Sequence, residues 1–186
     1  KAGGAHTPEE WLEIKSFGEM FDYLCKYLEA LTKGAEPKTD EDGNIVVEIP
    51  ENSCTIEIRC DTILNNMSSL RAGVEGYVPS NGVILSTVNV SFESGETVFD
   101  VLKRVCSLTG IQLEYSWTPM YDSYYIEGIN NIYEFDCGSE SGWMYKVNGW
   151  FPNYGCSSYT LKDGDTIVWC YTCNGLGADV GGRVNH

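Results

Sequence analysis

The residue types that could carry acid–base, nucleophilic or metal chemistry are thinly spread in this 186-residue chain. Its two histidines, His6 and His186, stand near opposite ends, whereas Ser–His–Asp or Cys–His catalysis needs an imidazole held beside its nucleophile. Cys170 and Cys173 have CxxC spacing, but they sit in a β-branched and aromatic run with no second pair. Residues three apart on a strand face opposite sides, so these two thiols are expected to have different partners, and no zinc or dithiol redox site is expected. The acidic run Asp40-Glu41-Asp42-Gly43-Asn44 lacks the glycine at the sixth and glutamate at the twelfth position of a calcium loop and reads as a solvated turn. Glu127, Glu134, Asp136 and Glu140 could in principle supply a carboxylate pair for glycoside hydrolysis, which needs no histidine. Nothing in their spacing sets two of them across a sugar. No catalytic residue and no cofactor is assigned.

The aromatic residues make the stronger case. Residues 134–150 hold two Trp, two Gly-bearing turns and Cys137, with Cys156 close behind. Such a segment suits a rigid hairpin that fixes aromatic side chains in place, and it contains no acid–base pair with a histidine and no phosphate cradle. Rigid aromatics offer contact area at low entropic cost and suit a flat ring ligand. Trp117, Tyr121, Trp150, Phe151 and Tyr154, in strand ends and loops beside Pro, Gly or Asn, are the candidate ligand-binding residues. Trp143 alternates with Tyr145 and is expected to pack inward.

The elements that must hold these residues can be read from capping and periodicity. Thr7-Pro8-Glu9-Glu10 forms a capping box before a helical stripe of Ile14, Phe17, Phe21, Leu24, Leu28 and Leu31. That N-terminal amphipathic helix can dock on its own domain or meet a protein partner. Residues 33–44 have the composition of a linker. Strands are predicted at 45–49, 55–60, 88–92, 111–117, 124–126, 132–135, 144–147 and 166–171. Between them a helix starts at the Thr97 cap, carries Val98, Val101, Leu102, Val105 and Leu108 inward, and stops at Gly110. Two segments result: 1–44, helix and acidic linker, and 45–186, the main domain. Strands flanking one helix describe an α+β fold with a β-grasp-like mixed sheet, its first and last strands side by side and parallel. That topology brings Cys60 near Cys173, while Cys137 and Cys156 flank the Trp143–Trp150 hairpin and could close it.

A net charge of −15 repels nucleic-acid phosphates and anionic lipid. No apolar run approaches the roughly 18 residues of a membrane span, so neither nucleic acid nor membrane insertion is expected. Eight cysteines, an even number without metal-ligand grouping, favour disulfides and an oxidising compartment.

Several segments, in order, resemble one family. These are residues 96–102 (ETVFDVL), 125–135 (YIEGINNIYEF), 142–150 (GWMYKVNGW) and 161–165 (LKDGD), followed by Trp169 and Tyr171. Together they are similar to the transcobalamin-like C-terminal domain family of exported and wall-attached proteins of Gram-positive bacteria, over roughly residues 54–182. The resemblance implies a β-grasp fold and an extracellular or cell-wall location. It matches Cys60, Cys137, Cys156 and Cys173 to the family's cysteines, leaving Cys25, Cys54, Cys106 and Cys170 outside the pattern. It also implies one side of a ligand clamp, with a corrinoid-like small molecule or a glycan as ligand. The expectation is a non-catalytic binding module at the bacterial surface. The alternative is a structural, adhesion or spacer module of a larger surface protein.

Overall fold

The computed structural model describes residues 37–39, 45–47 and 52–182, and the predicted N-terminal helix lies outside these. The chain divides into two compact units, 1–49 and 50–186. In the first, strands β1 (Pro37–Thr39) and β2 (Ile45–Val47) pair antiparallel. Pro37–Thr39, read from composition as linker, is thus one arm of a short hairpin.

Among the described residues, the second unit is a mixed α+β fold with two sheets and one α-helix. Its larger sheet contains β3 (Asn52–Arg59), β4 (Val83–Phe92), β8 (Gly142–Val147) and β9 (Thr166–Thr172), in the order β4-β3-β9-β8. The first and last of these, β3 and β9, pair parallel at its centre, from Thr55 opposite Thr166 to Arg59 opposite Cys170, as the β-grasp reading requires. The remaining strands form their own antiparallel sheet of β5 (Leu113–Thr118), β6 (Ser123–Ile129) and β7 (Ile132–Tyr133), instead of extending the first.

Alternation decides the buried face. Cys54, Ile56 and Ile58 of β3 point inward. The register sets Trp143, Tyr145 and Val147 of β8 directly opposite Tyr171, Trp169 and Ile167 of β9, and opposed residues share a face. All belong to one core with Val98, Phe99, Val101, Leu102, Val105 and Cys106 of helix α1 (Val98–Thr109). Each fully buried Ile or Leu there contributes about 1.5–3 kcal/mol relative to exposure.

Helix α1 begins and ends where its caps dictate. The Thr97 hydroxyl accepts from the Asp100 amide at 3.3 Å, and the Asp100 carboxylate accepts from the Thr97 amide at 2.8 Å. At the other end Gly110 takes the left-handed conformation, φ 71°, which costs glycine least. One predicted core residue does not reach the core: Leu108 is 54% exposed, because it falls beyond the edge of the buried arc on the last turn, while Phe99 and Cys106 complete that arc.

Candidate functional site

Two tight turns and one strained turn set the aromatic surface. Asn130 and Asn131, both with positive φ, reverse the chain between β6 and β7. Asn148 and Gly149 do the same after β8, bringing Trp150 back beside Val147. Two-residue turns with both φ values positive match the twist of the strands they join.

The sequence-selected aromatics are all reachable by solvent, in two groups. Trp117 (48% exposed) and Tyr121 (69%) stand at the end of the β5–β6 hairpin, Trp117 edge-on to Tyr124 with ring centroids 5.1 Å apart. Tyr124 stacks on Phe99 at 4.3 Å, anchoring that hairpin to α1. Residues 154–158 close against the same hairpin. The Ser157 hydroxyl accepts from the Tyr124 amide at 3.0 Å and lies 2.8 Å from the Ser123 hydroxyl. Gly155 presses so closely that a Cβ there would lie 2.0 Å from Ser123 Oγ. Tyr154 is thereby carried to the same end of the unit, stacked on Tyr159. Trp150 and Phe151 belong to the turn after β8, where Phe151 is half-buried beneath Lys146 Nζ at 5.0 Å. Trp143 is buried, as its alternation predicted, and its indole N–H donates to the Ile132 carbonyl at 2.8 Å.

A second feature escaped the sequence reading. Tyr125, Phe135, Ser139, Glu140, Ser141, Gly142, Trp143, Met144 and Thr172 line a groove of about 380 Å³, a size that accommodates a small ligand. Phe135 is its unusual member. It is 62% exposed and holds φ 66°, a left-handed conformation that is uncommon for a bulky side chain. The surrounding contacts impose it. The Phe135 amide donates to the Ser141 carbonyl at 2.9 Å, the Glu134 amide to the Glu127 carbonyl at 2.9 Å, and the Asp136 amide to the Tyr133 carbonyl at 3.2 Å. The buried Asp136 carboxylate accepts from the Tyr133 amide at 2.8 Å and pairs with Arg71 at 2.6 Å. Periodicity could not show this, because Ile132, Tyr133 and Phe135 read as one strand, whereas β7 stops at Tyr133 and the chain turns.

Two of the carboxylates considered for catalysis have structural partners here. Asp136 is sealed under Arg71, and Glu134 accepts from the Tyr125 hydroxyl at 2.5 Å. Burial first, and then the Glu134 carboxylate, push the Tyr125 hydroxyl well above the ordinary phenol range, so it stays a neutral donor. Among the described residues no group of three or more His, Cys, Asp or Glu is placed to hold a metal ion, and no helix is long and apolar enough to cross a membrane.

Seven cysteines are described, all buried and all free thiols. The thiol of Cys137, expected to pair with Cys156, donates to the Asn66 carbonyl at 3.5 Å, and Cys156 donates to the Tyr124 carbonyl at 3.4 Å. The reason is topological: Cys156 is pulled to the β5–β6 hairpin by the Ser123–Ser157 contact, while the turn holding Cys137 lies against the end of β9. Cys60 sits at the end of β3, its amide donating to the Gly82 carbonyl at 2.7 Å. Cys170 lies opposite Arg59 and Met144 in the sheet, with Lys146 and Asp61 as charged neighbours.

Residues 95–173 match the sequence profile of a family described as a domain of unknown function, DUF4430. Among curated proteins there is no match to this chain. Similar solved structures include a candidate metal-binding protein from Ruminococcus gnavus. It shares 12% identity over 66% of this chain and 97% of its own, with a TM-score of 0.42. Another is haptocorrin in complex with Cbi, at 14% identity over 65% of this chain and 25% of its own, with a TM-score of 0.44. The chain thus spans about a quarter of the haptocorrin length.

Proposed function

We propose that this unit is a non-catalytic binding module whose ligand is a neutral ring, a sugar or the edge of a corrinoid-like macrocycle, held in the groove of Tyr125, Phe135, Trp143 and Met144. The observation that carries this reading is Phe135, a large apolar ring kept in solvent and in a strained backbone conformation at the groove wall. Strain of about 1–3 kcal/mol persists only where surrounding structure over-determines it, and it concentrates at ligand clamps. The apolar surface gives a ring face something to stack on. The hydroxyl of Ser139 accepts a hydrogen bond from a hydroxyl or amide group at its edge. A net charge of −15 disfavours anionic ligands. The groove volume matches a small saccharide more closely than an entire corrinoid, which could insert only part of its rim. Trp117, opposite Tyr124 in the register, lies on the other face of its sheet from Tyr125, so with Tyr121 it forms a separate exposed aromatic surface at the hairpin end. The same reading sets the module outside the cell, at the bacterial surface, supported by the family resemblance and the cysteine content.

The test is a titration of the full chain with cobinamide, cobalamin and neutral cell-surface oligosaccharides, followed by calorimetry and by chemical shifts of the aromatic side chains. Saturable binding that shifts Phe135 and Trp143 is expected, together with a loss of at least about fivefold in affinity for Tyr125→Ala, given the roughly 1–3 kcal/mol of a ring-stacking contact. Binding that leaves those two residues unmoved would remove the groove from the proposal. No binding by any of the panel would favour the spacer or adhesion role.

A further inference from the structure

At the end of the larger sheet two buried thiols rest on the same short segment of chain. Cys137, in the turn between Phe135 and β8, is 2% exposed, and Cys173, directly after β9, is 4% exposed. Both lean on the single-turn segment Asp61–Asn65 and its cap. The Cys137 thiol donates to the Asn66 carbonyl at 3.5 Å and the Cys173 thiol to the Thr62 hydroxyl at 3.6 Å. Asn66 Nδ2 in turn donates to the Thr62 carbonyl at 2.8 Å, so the two acceptors are locked together. Each thiol also bears on the other's ionisation, Cys137 raising Cys173 and Cys173 lowering Cys137. Their backbones are pinned separately: the Cys137 amide donates to the Ser141 hydroxyl at 3.0 Å and the Cys173 amide to the Asp179 carboxylate at 2.8 Å. The chain after Cys137 runs close beside Cys173, since a Cβ on Gly138 would lie 3.9 Å from the Cys173 carbonyl.

We propose that Cys137 and Cys173 close into a disulfide that ties the turn before β8 to the end of β9. This inference does not depend on the binding role. The oxidant required is a small-molecule disulfide such as oxidised glutathione. One cysteine thiolate attacks it, forming a mixed disulfide and releasing one glutathione thiolate. The second cysteine thiolate then displaces the other glutathione, forming the Cys137–Cys173 bond. The two protons pass to the released glutathione thiolates, and two electrons have moved from the protein to glutathione.

Burial decides when this happens. Removal from water pushes the Cys173 thiol up to about 12 and raises Cys137 as well, so thiolate is scarce and oxidant has no access in the folded unit. The bond therefore forms while the chain is folding. Once formed it braces two walls of the groove, because Ser139 to Gly142 follow Cys137 and Thr172 precedes Cys173.

The decisive experiment refolds the reduced, unfolded full chain in a glutathione redox buffer, alkylates remaining thiols, and maps the digest by mass spectrometry. A peptide pair joined through Cys137 and Cys173 is expected, with a melting temperature about 5–10 °C above that of the same protein after reduction. The already folded, reduced protein should acquire the link many times more slowly. Recovery of Cys137 joined to Cys156, or of Cys173 joined to Cys60, would overturn the assignment, as would alkylation of both residues after refolding. The map uses the wild-type chain, so a variant that misfolds cannot confuse it. In the C137S/C173S variant, if folded, the linked peptide and its melting increment should both be gone.

Discussion

Phe135 shows how one residue can be shaped by its neighbours rather than by its own preference. Bulky side chains avoid left-handed φ, yet three backbone hydrogen bonds and the Asp136–Arg71 pair hold this one there while most of its ring meets solvent. Glycine adopts that conformation without penalty. Phe135→Gly is therefore expected to stabilise the isolated protein by about 1 kcal/mol in urea titration, the reverse of the usual result of deleting a large apolar side chain. The same variant should bind the groove ligand more weakly. A loss of stability instead would mean that the ring packs usefully against Tyr125 or Met144. Neither the exposure nor the strain of Phe135 was legible in sequence, because an apolar residue two beyond Tyr133 continues a plausible strand. Trp143 was legible, since its alternation with Tyr145 on a strand between two turns leaves one face for both.

At the level of elements, helix α1 was readable almost to the residue, because both its limits depend on local chemistry. Thr97 and Asp100 exchange hydrogen bonds within four residues, and Gly110 alone relieves the left-handed cap. Thr97→Ala should lower stability by about 1 kcal/mol. Combining it with Asp100→Ala should cost little more than either change alone, because the two side chains form one reciprocal device, and a double-mutant cycle in urea measures this. Full additivity would show that the box is not the unit of capping. What could not be read was how the strands divide into sheets. Residues 113–118 and 123–133 carry strand patterns like those of 142–147, but only tertiary pairing shows that they form their own three-stranded sheet. The partners of the cysteines were illegible for the same reason. Parallel pairing of β3 with β9 was correctly expected, whereas the way the turn after Phe135 folds back against the end of β9 was not.

Across the whole molecule, the buried thiols make stability depend on alkaline pH. Burial raises Cys54, Cys60, Cys106 and Cys156 from 9.0 to about 12. Each is neutral when protonated, so the folded chain retains protons that the unfolded chain releases. Their contribution is present in full below about pH 9 and is lost progressively as the pH rises towards 12. Chemical denaturation at a series of pH values should show a declining midpoint across this window. A flat profile from pH 9 to 11 would indicate that these thiols are not titratable, as they would be if joined in disulfides.

The central strand pair has a consequence for how the chain becomes folded. β3 and β9 are more than a hundred residues apart in sequence, yet they lie side by side in the middle of the sheet. Hairpins such as β5–β6 can close on local contacts soon after they are made. The sheet centre must wait until Thr172 has been synthesised, and long-range pairing of this kind is slow because chain entropy is surrendered before any contact compensates for it. Until then β3 has an unsatisfied edge on the side where β9 will dock, so the growing chain remains open, extensible and exposed to other strands until β9 arrives.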